Sequence, residues 1–260
     1  MRFGVCVGND TEKVKLASEY GYDYVEGGFQ FFGRGEEEQI NAFIKTLNEN
    51  NIKCEAVNCF MPSDLPVTGD NVDYEAITAF VKRGMEMGAK AGVKVVVFGS
   101  SGARRVPSEY NYAKAFRQLV FFLKEVVSPI AKENDITVTV EPLTPGESDI
   151  IGTINEGAML AAAVDKENIK GLADLYHMYN VNDTAEGILH LHDIIYHGHI
   201  SNPVGRDGKK RLYPLSADEY DYKSFVDALE KIGCPRCSIE ASCDDFVTEA
   251  KTAIGVLRSL

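Results

Sequence analysis

Short β-branched or wholly apolar runs alternate with longer segments of helical spacing from one end of this chain to the other. The runs at 2–7, 23–26, 53–57, 93–98, 136–140, 169–172, 194–200 and 237–239 predict strands. The run at 93–98 is apolar almost throughout, the pattern of a parallel strand buried on both faces. Between the strands, 11–20, 36–50, 73–91, 112–134, 154–164, 183–190, 222–232 and 244–257 predict helices. In the third of these, Ile77, Phe80, Val81 and Met85 recur three and four residues apart and mark one buried face. A loop at 61–69, carrying Pro62 and Pro66, parts the third strand from its helix.

Eight strand–helix pairs predict an α/β fold, specifically a TIM (β/α)8 barrel, with residues 1–260 forming one domain. No Gly/Ser-rich or Pro-rich linker divides the chain. The alternative is a doubly wound open sheet, which would place a glycine-rich phosphate loop after its first strand. Val7-Gly8-Asn9-Asp10 stands there and lacks those glycines.

Composition narrows the partners. A formal net charge of −12 repels phosphate backbones and sets nucleic acid aside. Six cysteines in 260 residues are too few for a disulfide scaffold. The N-terminus shows no basic segment leading into an apolar run, and no stretch reaches about 18 apolar residues. The expectation is a protein without signal peptide or membrane span, at home in a reducing cytoplasm.

The chemistry gathers at one rim. In such a barrel the functional face is built from the C-terminal ends of the strands. Glu141 ends the fifth predicted strand, Asp174 and His177 follow the sixth, His199 lies late in the seventh, and Glu240 ends the eighth. Any one of them alone is an ordinary loop carboxylate or core histidine. Four neighbouring strands bringing such groups to one rim suit a single hard or borderline divalent ion. His197 shares a strand face with His199, so either could be the imidazole ligand. His190 and His192 read as surface residues.

Three other features carry two readings each. Arg104, in the small-residue loop Gly99-Ser100-Ser101-Gly102-Ala103-Arg104, either meets an anionic substrate group or is solvated. Glu26 lines the pocket or is a structural carboxylate inside the barrel. Cys234-Pro235-Arg236-Cys237 has no second pair to complete a metal site, and two ordinary cysteines near a turn is the favoured reading.

Four segments carry a family likeness: Val138-Thr139-Val140-Glu141-Pro142-Leu143, Gly171-Leu172-Ala173-Asp174-Leu175-Tyr176-His177, His197-Gly198-His199-Ile200 and Ser238-Ile239-Glu240. Through them the chain resembles the xylose isomerase-like TIM barrels, in particular the sugar phosphate isomerase/epimerase group with its ketose 3-epimerases and hydroxypyruvate isomerases. The resemblance implies a metal site of Glu141, Asp174, His199 and Glu240 holding one divalent ion, Mn, Mg, Co or Zn. It implies Glu141 and Glu240 as the acid/base pair, and substrate contacts from His177, Glu147 and Arg206. The implied substrate is a small carbohydrate, and homo-oligomers occur in the group. Proton transfer to the same carbon would epimerise, and transfer to the neighbouring carbon would isomerise; the sequence does not choose between them. A hydride shift is a further route, and a polyol dehydratase stays open. An apurinic-site endonuclease on the same barrel would need more than five histidines and a basic face. A barrel that only binds sugar would not need paired glutamates.

Overall fold

Alternate residues of a strand face opposite sides of its sheet, and in a closed sheet those sides become inside and outside. The computed structural model describes all 260 residues and closes the sheet. Eight parallel strands run in chain order: β1 (Arg2–Cys6), β2 (Tyr24–Gly28), β3 (Cys54–Asn58), β4 (Val95–Phe98), β5 (Thr137–Val140), β6 (Ile169–Asp174), β7 (Ile195–Ile200) and β8 (Arg236–Ile239), which returns to pair with β1. The predicted TIM (β/α)8 barrel is the observed fold.

Parity then sorts the side chains. Val5, Val25, Val57, Val96, Val138 and Ile239 face outward into the main core beneath the helices. Tyr24, Ala56, Val95, Val97 and Leu172 form a small separate cluster inside the barrel. Gly4 on β1 makes room for one of them, because a Cβ there would overlap the Tyr24 ring. The barrel is therefore filled with side chains below its mouth, as a packed core and not a pore.

Helices cover the outside, and several start at side-chain caps. Asp10 accepts from the Glu12 and Lys13 amides, Asp73 caps Tyr74–Ala91, and Thr153 with Glu156 forms a capping box before Ile154–Val164. No helix is long and apolar enough to cross a membrane.

The structure revises two predicted helices and adds two. The single helix expected over 112–134 is Tyr112–Phe121, a π-helical turn Phe122–Val127, and Ser128–Glu133. Pro129 explains the interruption: it donates no backbone hydrogen bond and its ring crowds the preceding turn, which the wider π turn relieves. The short helix expected over 183–190 is Ala185–Leu189. Two short helices, Phe29–Arg34 and Leu175–Val181, were not foreseen. The sixth strand ends at Asp174, as expected, and a register shift at Gly171/Leu172 lets Asp174 pair opposite His199.

Candidate metal centre

The mouth of the barrel is lined by the last inward residue of each neighbouring strand. Asp174 and His199 are direct partners across β6 and β7. Glu141 and Glu240 stand one residue beyond β5 and β8, yet their amides still donate to the terminal carbonyls of the adjacent strands, Phe98 O at 3.1 Å and Ile200 O at 3.2 Å. Register thus fixes all four backbones.

These four residues come together in space. One donor atom from each of Glu141, Asp174, His199 and Glu240 lies within 4.8 Å of the others. His199 Nδ1 is at the centre, 2.8 Å from Glu240 Oε2, 3.1 Å from Glu141 Oε1 and 3.6 Å from Asp174 Oδ2. Asp174 divides its work. Its Oδ1 accepts from the Tyr176 and His177 amides and caps Leu175–Val181, leaving Oδ2 to face the cluster.

The electrostatics are those of three carboxylates crowded around one imidazole. Glu141, Asp174 and His199 are almost wholly buried. Burial, then Glu240, pushes the Glu141 carboxyl above its usual range. Burial opposes ionisation of Asp174 too, but Arg211 and His199 outweigh it and hold Asp174 low. His199 and Arg211 likewise lower Glu240 against its burial. Burial works against charge on His199, and Glu26 followed by Glu240 overcomes it, so the imidazole stands well above its ordinary value.

Arg211 is the residue that sequence reasoning missed. Its Nη2 is 2.7 Å from Asp174 Oδ2, is bonded to Glu240 Oε2, and lies 3.8 Å from Glu141 Oε1. Arg206, expected to fill the substrate-facing role, points elsewhere. Its guanidinium binds Glu219 at 2.5 Å and the Tyr213 carbonyl at 3.0 Å. The loop after β7 explains the exchange. Gly205, Asp207, Gly208 and Arg211 all have positive φ, and Asn202 pairs with Leu212, so the chain folds back and presents Arg211.

Arg104 also departs from both sequence readings. It is fully buried, donates to Phe98 O at 3.0 Å, and reaches Ile151 O and Ser148 Oγ at 3.4 Å each. Burial lowers its pKa to about 10. It ties the loops after β4 and β5 together and does not face the cavity. Glu147 does line the cavity, where its Oε1 accepts from Thr144 Oγ1 at 3.2 Å. His177 is buried, its Nδ1 accepts from the Thr144 amide at 3.1 Å, and its Nε2 is 3.5 Å from Arg211.

Two further residues bear on the site. Asn58, the last residue of β3, donates to Glu240 Oε1 at 2.9 Å. Its strand-end position was the one signal available. Gly99 follows β4, and a Cβ there would overlap Glu141 Oε2. Gly99→Ala is expected to leave the melting temperature within about 3 °C of wild type, since only a side-chain tip must move. It should weaken divalent-cation binding about tenfold by displacing the Glu141 carboxylate. Calorimetric titration of Mn²⁺ checks both parts when paired with a thermal melt.

The cavity above the cluster has a volume of about 450 Å³ and is lined mainly by polar groups, among them Gln30, Asn58, Ser63, Ser101 and Glu147. A sequence model of the xylose isomerase-like TIM barrel family matches residues 14–260. No curated protein matches the chain in sequence. Among solved structures, 3-keto-D-glucoside 4-epimerase from E. coli is similar in fold, with TM-score 0.83 and 18% identity over 100% of both chains. D-allulose 3-epimerase from Methylomonas sp., in complex with D-allulose, gives TM-score 0.81 and 17% identity over 100% of this chain and 96% of that one. The IOLI protein, with a bound zinc atom, gives TM-score 0.73 and 18% identity over 100% of this chain and 96% of that one.

Proposed function

Because the chain belongs to the xylose isomerase-like TIM barrel family, we propose that it is a divalent-metal-dependent isomerase or epimerase of a small, unphosphorylated sugar. The convergence of Glu141, Asp174, His199 and Glu240 within 4.8 Å carries this reading. Donors bound at about 2.1–2.3 Å to one ion stand at most about 4.5 Å apart, so a small contraction would close the set. Three carboxylates and one imidazole suit Mn²⁺, Mg²⁺, Co²⁺ or Zn²⁺. The epimerases of allulose and of keto-glucoside support a sugar as substrate.

When bound, such an ion would supply Lewis-acid stabilisation of the negative charge that develops on a sugar carbonyl oxygen. The chain's own residues would do the rest. Glu141 and Glu240 reach the cavity from β5 and β8, so one carboxylate can remove a proton α to the carbonyl and the other can deliver one. Delivery to the same carbon from the opposite face gives epimerisation, and delivery to its neighbour gives isomerisation. His177 is not among the cavity-lining residues; it accepts at Nδ1 from the Thr144 amide and lies 3.5 Å from Arg211 at Nε2, so it would act on the substrate through Arg211. Glu147 would accept from a substrate hydroxyl.

The cavity's charges argue against a phosphate. Its lining cations are Arg34 and Arg211. Arg34 is engaged in two 2.9 Å bonds to Asp64, and Arg211 is held by Asp174 and Glu240. Arg104, which could have met an anion, is in the core. The six free cysteines suit a reducing compartment such as the cytoplasm.

Metal-loaded protein is expected to bind one Mn²⁺ or Co²⁺ per chain. It should carry solvent deuterium to the carbon beside the carbonyl of at least one free ketose, read by NMR over a ketose panel. Chelation should abolish the exchange, and phosphorylated ketoses should be at least about tenfold poorer in kcat/KM. Turnover without deuterium entry would replace proton transfer with a hydride shift. A protein that bound neither ion would lose the reading altogether.

A further inference from the structure

We infer that Glu26 is a positioning residue for the cation site, holding His199 in the one tautomer that turns a free Nδ1 lone pair toward Glu141, Asp174 and Glu240. This rests on the proposed reading of those residues as metal ligands. Glu26 lies on β2, across the barrel from β7, and is fully closed from solvent. Its Oε1 is 2.9 Å from His199 Nε2 and its Oε2 is 3.1 Å from His197 Nε2. The two imidazoles stack edge to face with centroids 5.1 Å apart.

A carboxylate only accepts hydrogen bonds. Each Nε2 that meets Glu26 must therefore carry a proton. A neutral imidazole has a single ring proton, so neutral His197 keeps Nδ1 as a bare lone pair, and the proton that His199 can give up to a cation is the one on Nδ1. His199 Nδ1 faces Glu141, Asp174 and Glu240, so a cation held among them would replace the Nδ1 proton and meet the freed lone pair. For His197 the same logic leaves Nδ1 without a donor, and it is buried with no hydrogen-bond partner. An unsatisfied buried acceptor costs about 1–3 kcal/mol. His197 is accounted for by its other nitrogen, which secures the second oxygen of Glu26. Ser238 Oγ, 3.4 Å from His197 Nε2, and Tyr24 Oη, 2.9 Å from Ser238, continue the chain of contacts toward the barrel floor.

A second ion between Glu26 and the two histidines is the competing explanation, since their donor atoms also cluster. All three side chains are closed from solvent, and their separations are those of ordinary hydrogen bonds. The ligand-facing nitrogen of His199 is Nδ1, and Nε2 belongs to Glu26.

Glu26→Gln separates these roles. A glutamine has one accepting oxygen and one donating amide, so it cannot accept from both histidines. Either His199 or His197 loses its acceptor, and the His199 tautomer is no longer fixed. The Kd for Mn²⁺, measured calorimetrically on metal-stripped protein, is expected to rise about 10- to 100-fold, with the far-UV circular dichroism unchanged. The visible ligand-field spectrum of the Co²⁺ form should change as well. Equal Kd values and identical Co²⁺ spectra for wild type and Glu26→Gln would overturn the inference. Should the variant fail to fold, the wild type still decides. In Zn²⁺-loaded protein with ¹⁵N-labelled histidine, His199 should show a protonated Nε2 and a metal-shifted Nδ1, and the reverse pattern would overturn the inference. If wild type binds none of these metals, the cation-site reading fails first, and that result is distinct from either of the others.

Discussion

Glu141→Gln and Glu240→Gln should each lower turnover by about a thousandfold while leaving a folded barrel. Glutamine keeps the size of glutamate and its place in the packing, but it neither takes up a proton nor carries charge to a metal. A positioned acid or base contributes about 10²- to 10⁴-fold by itself. Each glutamate is also proposed to hold the ion, so the loss combines two causes that cannot be summed residue by residue. The double variant should therefore fall little further than either single one. Glu141 is nearly closed from solvent, and the amide oxygen of its replacement can still accept from His199 Nδ1, 3.1 Å away, so the site would remain hydrogen-bonded and the fold intact. The measurement is deuterium entry into a ketose alongside circular dichroism. Two fully active variants would dismiss the acid–base roles.

Arg211→Ala should have its largest effect on metal-free protein. The guanidinium lies against Asp174, which is 2% exposed in its side chain, and Glu240, which is 20% exposed, while Arg211 itself is 24% exposed. Removing one partner of a buried pair costs about 3–5 kcal/mol, and partial exposure places this case at the lower end. About 3 kcal/mol corresponds to a fall of roughly 6–12 °C in Tm for a chain of this size. Adding Mn²⁺ should recover most of the deficit, because the ion supplies positive charge to the same carboxylates. The pH dependence has a definite sign. Arg211 helps hold Asp174 and Glu240 below their ordinary values, so its contribution is complete above about pH 4.5 and is lost as pH falls through their folded values. The gap between wild type and variant should be full at neutral pH and should close in acid. A variant as stable as wild type at pH 7 without metal would show that the guanidinium contributes nothing to the cluster.

The barrel and its rim were legible because their physics is periodic. Buried parallel strands read as apolar runs, and sheet closure brings distant strand ends together whatever their spacing in sequence. That logic brings Glu141, Asp174 and Glu240 to one rim with a histidine of β7, and the family resemblance then picks His199 over His197. The logic of periods fails where the backbone leaves a regular one. Arg206 and Arg211 are five residues apart on a loop with four positive-φ residues, and no spacing rule tells which one turns inward. Arg104 sits in a loop that looks solvated, and only the fold of residues 144–151 over it shows that it is core. Glu26 meets His197 and His199 across the barrel, not along a ladder, so neither strand alone reveals the contact. Other misses had signals. Asp174 before Leu175-Tyr176-His177 is an N-cap preceding a helix, and Pro129 announces a break in any helix drawn through it.

Tyr24, laid against Gly4 with Val95, Val97 and Leu172 around it, stops the barrel below its chemistry. The vessel is open at one end only. In the proposed reaction sugar, water and ion would all use the same doorway, and the ion would lodge deepest. A sugar seated at the threshold would cork the metal in place, so that the last component to arrive becomes the first that must leave.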